Sequence, residues 1–139
     1  MIEVNNLTTV KVDEEFFKKI AEKVLEKESA SWRKGNKNLS LALIGQGRIR
    51  ELNKRYRGKN RVTDVLAFPG NGLGEIVICL REVKKNAERF SLTFEKELAR
   101  VLIHGILHLL GYDHEKSEAQ ARVMEEKQNY YLKLFFNNG

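Results

Sequence analysis

All three histidines of the chain fall within eleven residues, HGILHLLGYDH, as His104, His108 and His114. An α-helix turns about 100° per residue, so His104 and His108 project from one face, one turn apart. Gly111 can stop that helix, because glycine accepts the left-handed turn that other residues resist, and such a turn brings His114 back over the same face. Three neutral imidazoles suit Zn²⁺, and three protein ligands leave a fourth position open, as catalytic zinc sites do. The spacing is that of the zinc-peptidase signature HExxHxxGxxH. Gly105, however, stands where that signature carries its general base, Glu. A closed structural site would need a fourth protein ligand. Cys79 and Asp113 are the candidates, although Cys79 in EIVICL also reads as strand core and Asp113 as a carboxylate that steadies an imidazole.

The elements around these residues must position them. Residues 93–110, TFEKELARVLIHGILHLL, read as a long helix with Glu95 and Glu97 near its N-terminus. From Val101 to Leu110 it has no formal charge, which places it in the centre of the domain. IEVNNL (2–7) and NLSLALIG (38–45) read as strands. RVTDVLAFPG (61–70) contains a strand ending at Pro69-Gly70, and NGLGEIVICL (71–80) becomes another that can pair with it. Helices are predicted over 12–29, 47–56, 81–90 and 117–136. The first has Asp13 as cap and Phe16, Phe17, Ile20 and Val24 as its apolar face; the last opens with Ser117 and Gln120 in the capping-box pattern. Gly45 and Gly47 lack the third glycine of a dinucleotide fingerprint and make only a strand-to-helix turn. The sum is one α+β domain over residues 1–139, with a mixed sheet of about four strands and about five helices.

The formal net charge is +6, and residues 46–61 carry all of it. Arg48, Arg50, Lys54, Arg55, Arg57, Lys59 and Arg61 stand there against a single acid, Glu51. A basic patch of this density attracts a polyanion, although such a run also serves as a solvated helix face. Tyr56 within it could stack on a base; it could equally be core, since Ile49, Leu52 and Tyr56 recur at helical spacing. The single cysteine excludes an intrachain disulfide and fits a reducing, cytoplasmic home. The opening MIEVNNLTTV has no basic stretch followed by an apolar one, so no secretory signal is expected. The run VLIHGILHLLGY (101–112) is too short to span a membrane.

Three blocks taken in order resemble the YbeY family of bacterial endoribonucleases and rRNA maturation factors. LNKRYRGKNRVTDVLAFP (52–69) is similar to its LNxxYR…TDVLSFP block, GEIVIC (74–79) to its GDIxIS strand, and HGILHLLGYDH (104–114) to its HGxLHLxGYDH motif. Glycine after the first histidine separates that motif from the peptidase pattern. Ala67 replaces the usual Ser and Glu75 the usual Asp. The resemblance implies a zincin-like fold with the metal histidines on and just after a central helix. It implies one zinc per chain held by His104, His108 and His114, and a functional arginine at Arg57. It also implies cleavage of single-stranded RNA in small-subunit rRNA maturation, including the 3′ end, and in ribosome quality control. Its partners would be the small ribosomal subunit and assembly factors.

RNA cleavage adds negative charge at phosphorus, which a zinc ion and a bidentate arginine such as Arg57 can stabilise. A peptidase also needs a base that Gly105 cannot be. Glu75 or Asp64 could supply a base, yet Asp64 also reads as a turn residue and Glu75 as an exposed strand start. Two other functions stay open: a non-catalytic ribosome-assembly module with a structural zinc, and a metallopeptidase.

Overall fold

The computed structural model describes residues 1–35 and 37–136. Its strands are β1 (Ile2–Asn6), β2 (Leu39–Ile44), β3 (Val65–Pro69) and β4 (Gly74–Cys79). Its helices are α1 (Glu14–Glu28), α2 (Ala30–Arg33), α3 (Gln46–Arg57), α4 (Leu80–Arg89), α5 (Phe94–Leu109) and α6 (Glu118–Phe135). The sheet order is β1-β2-β4-β3. β1, β2 and β4 are parallel, and β3 returns antiparallel on β4. This is the expected α+β architecture with four strands in a mixed sheet. The sixth helix is α2, one turn that buries Trp32 beneath its Ser29 cap. Four residues are too few for a periodicity to announce them.

Successive strand side chains point to opposite faces, and the two faces are unequal. Ile76 and Ile78 of β4 join the large core formed with α1, α5 and α6. Val77 and Cys79 pack on the other face, with Ala42, Ile44, Leu66 and Ile49 of α3. The expected face of α1 is the buried one, through Phe17, Ile20 and Val24. Asp13 caps that helix by accepting from the Glu15 N–H at 3.0 Å. Only half of the capping box forms at α6: Ser117 Oγ accepts from the Gln120 N–H at 3.1 Å.

Helix α5 lies at the centre, packed on β3, β4, α1, α4 and α6. Gly105 sets how close it comes: a Cβ there would lie 3.1 Å from Ile76 Cγ2. Position 105 therefore faces the sheet, and a glutamate in its place would be driven into the core. Gly74 is needed for another reason. Its φ is +139°, and a Cβ would lie 2.5 Å from the Phe68 carbonyl oxygen.

Candidate active site

Arg100, His104 and His108 form a half-buried stripe, one turn apart, along a helix otherwise buried from Leu98 to Leu107. The helix then ends in a Schellman motif. The Gly111 N–H donates to the His108 carbonyl and the Tyr112 N–H to the Leu107 carbonyl, both at 3.1 Å. The φ of Gly111 is +105°, the conformation that glycine alone adopts freely. Tyr112 then pins the turn, its hydroxyl donating to Glu28 at 2.7 Å. Glu28 also accepts from Tyr131 and, at 3.1 Å, from Lys127. Burial pushes the Glu28 carboxyl up, but these three donors outweigh it and hold it below its ordinary value. The same burial and bond push Tyr112 up to about 12.

The turn brings the His114 ring to 5.0 Å from His104 and 6.4 Å from His108, centroid to centroid. Among the described residues, no three His, Cys, Asp or Glu side chains form a group that could hold a metal ion as they stand. The donor chemistry still suits zinc. His104 Nδ1 is 3.0 Å from Gln128 Oε1, which leaves Nε2 as the lone-pair atom of that ring. His108 Nδ1 is buried with no hydrogen-bond partner. Such an orphaned nitrogen is costly in an interior unless something takes it up. Burial, then the nearby His114 and Arg100, lower the pKa of His104 against the opposing Gln128 bond, favouring the neutral ring that a metal requires.

A cleft of about 240 Å³ opens beside the stripe, lined by His104, His114, Arg57, Asp64, Arg100 and Glu115 among others. Arg57 is the last residue of α3, before Gly58 turns the chain with φ +70°. Its Nη2 donates to Glu115 Oε1 at 2.9 Å. The same oxygen is 3.8 Å from His114 Nε2. Arg57 holds the Glu115 carboxyl below its usual range. Asp64 accepts from Asn86 at 3.3 Å and lies 3.8 Å from Arg100. Arg100 is clamped by Glu97 through two bonds of 2.8 and 2.6 Å.

The seven basic residues do not share one surface. Arg57, Lys59 and Arg61 line the cleft. Arg48 lines a separate groove on the α3 face, with Tyr56 and Glu75. Arg50 donates to Asn60 at 3.0 Å, Lys54 is exposed, and Arg55 lies 5.6 Å from the Tyr56 ring centre. Tyr56 is 59 % exposed and set edge-on to Phe68, so it is not core. Glu75 points away from the histidines because it shares its sheet face with Val77; an acid–base role beside them is corrected by that strand register. Among the described residues Asp113 makes no hydrogen bond to an imidazole; it accepts the Glu115 N–H at 2.8 Å and shapes the turn. Cys79 is buried on the α3 side, as strand core rather than a fourth ligand.

Sequence reasoning missed Gln128, Glu97, Asn53, Arg100 and Glu115. Gln128 had a signal, since it interrupts the buried stripe Met124, Tyr131 and Leu132 on α6. Arg100 stands one helical turn before His104, and Glu115 directly follows His114.

A family model described as Endoribonuclease YbeY matches residues 3–135. The Endoribonuclease YbeY of Thermotoga neapolitana is 47 % identical over 105 residues, covering 74 % of this chain and 70 % of that protein. That of Petrotoga mobilis is 41 % identical over 134 residues, covering 93 % and 90 %. The solution structure of TM1509 from Thermotoga maritima is similar with a TM-score of 0.67 and 38 % identity, over 96 % of this chain and 87 % of that one. With the three sequence blocks and the fold agreeing across nearly its whole length, the chain belongs to the YbeY family.

Proposed function

We propose that the chain is a zinc-dependent endoribonuclease that cleaves single-stranded RNA in small-subunit rRNA maturation, including the 3′ end, and in ribosome quality control. The observation that carries this reading is the meeting of His104, His114 and Arg57 in one cleft, although Arg57 lies 47 positions before His104 in the chain. His104, His108 and His114 would hold one zinc. When bound, the ion supplies Lewis acidity and positive charge beside the scissile phosphodiester. Arg57, released from Glu115, grips a phosphate oxygen, and Lys59 and Arg61 draw the backbone of the strand towards the cleft. Arg100 is already committed to Glu97, so it contributes a fixed donor edge more than a free charge. Of the three carboxylates singled out in the sequence, only Asp64 lines the cleft, which makes it the candidate to take or hold a proton.

Small-subunit rRNA precursors, the small ribosomal subunit and its assembly factors are the partners in this reading, and the cytoplasm its compartment. The described residues include no helix long and apolar enough to cross a membrane. The peptidase alternative loses support because position 105 faces Ile76 in the core. The test is incubation of the purified chain with end-labelled single-stranded RNA, with zinc and after chelation, beside an unfolded polypeptide. Zinc-dependent RNA cuts with the polypeptide intact are expected. RNA binding that strengthens as salt falls, with no cutting under any metal condition, would leave the assembly module instead.

A further inference from the structure

We propose that Gln128 is a positioning residue that fixes His104 in the tautomer able to ligate the metal. The inference rests on the zinc reading above and extends it from α5 to α6. Gln128 is only 8 % exposed and is one of three buried polar or charged residues among those described. Its helical neighbours on the same face, Met124, Tyr131 and Leu132, are buried. A leucine would fill that position without the desolvation cost of an amide, so the amide needs a partner. That partner is His104, with Gln128 Oε1 3.0 Å from Nδ1.

A neutral imidazole carries one N–H and one bare nitrogen. An amide oxygen only accepts, so the proton sits on Nδ1 and Nε2 keeps its lone pair. The reverse amide orientation would donate to Nδ1, leave the proton on Nε2 and remove that nitrogen as a ligand. Orientation by the remote ring nitrogen is how metal-bound histidines are generally held, and it also raises the basicity of the ligand atom. The contact joins two helices 24 positions apart in sequence, so docking of α6 is coupled to ring orientation.

The experiment compares wild type with Gln128→Leu and Gln128→Glu by two readouts. One is the ¹⁵N spectrum of the histidine rings in the metal-free protein. The other is zinc affinity measured by chelator competition. His104 is expected with its proton on Nδ1 in wild type. Zinc affinity is expected to fall about tenfold to a hundredfold in Gln128→Leu. It is expected to stay within a few-fold in Gln128→Glu, which still accepts the bond, and this rescue separates orientation from packing. A wild-type His104 protonated on Nε2 overturns the inference. So does a Gln128→Leu protein that binds zinc like wild type while His104→Ala does not bind it. Wild type taking up no zinc at all overturns the zinc reading first, and this inference falls with it.

Discussion

The two faces of the sheet carry hollows of opposite character. The groove on the α3 face is the larger, about 640 Å³ against about 240 Å³ for the cleft beside α5. Its lining is mostly apolar, with Leu7, Ala42, Ile44, Leu52, Phe68 and Val77, and includes Arg48 and Glu75. The cleft is walled by charge and imidazole. All three buried polar or charged residues among those described serve its lining. Asn53 donates to the Arg61 carbonyl at 3.0 Å, Glu97 clamps Arg100, and Gln128 meets His104. Burying a polar group costs free energy unless it is paired, so the gathering of such groups behind one hollow favours the cleft over the larger groove in the proposed reading. Volume alone would favour the α3 face.

The sharpest way to break this contrast is to substitute residues of the cleft. His114→Ala is expected to lower RNA cleavage by about a thousandfold, the several kcal/mol that a metal supplies to a developing charge. Arg57→Ala is expected to cost roughly tenfold to a hundredfold, a charge-assisted contact of about 1.5–3 kcal/mol, with zinc content unchanged. Equal loss of zinc in that variant would make Arg57 part of the scaffold. Steady-state cleavage rates and metal analysis of the same preparations decide both.

A smaller effect concerns the turn that carries His114. Glu28→Gln is expected to lower stability by about 1–2 kcal/mol at neutral pH, read from denaturant midpoints. The sign with pH follows from the lowered pKa of Glu28 in the folded state. Its contribution is complete above the ordinary value of 4.5 and is lost as pH falls through the folded value. Wild type should therefore lose stability on acidification more steeply than Glu28→Gln. The smallest effect belongs to the other face. Glu75→Gln is expected to change cleavage and stability by no more than about 0.5 kcal/mol, as for an exposed side chain away from any network. A large loss of cleavage there would abolish the distinction between the faces.

The elements and the histidine turn were legible in the sequence because their signals are local. Alternation, helical period, Asp13 and Ser117 as caps and Gly111 as stop each act over a few residues. The link from Arg57 to the histidines was legible only through the resemblance, since no local rule joins residues so far apart. Glu75 and Asp64 could not be told apart from sequence. Strand register decides which face a side chain joins, and one residue of slip reverses it. Glu97 stayed hidden because an acid near a helix N-terminus reads as a surface residue until packing closes over it, whereas Gln128 was marked only by the apolar stripe that it interrupts. Gly105 was legible as a missing base but not as a contact, because Ile76 comes from another strand.

X-ray absorption at the zinc edge of the loaded protein tests the reading most directly. It should show one zinc per chain, bonded to three imidazole nitrogens at about 2.0–2.1 Å with one position left to a non-protein ligand. A sulfur ligand, a fourth protein ligand, or an unchanged spectrum in His114→Ala would contradict it.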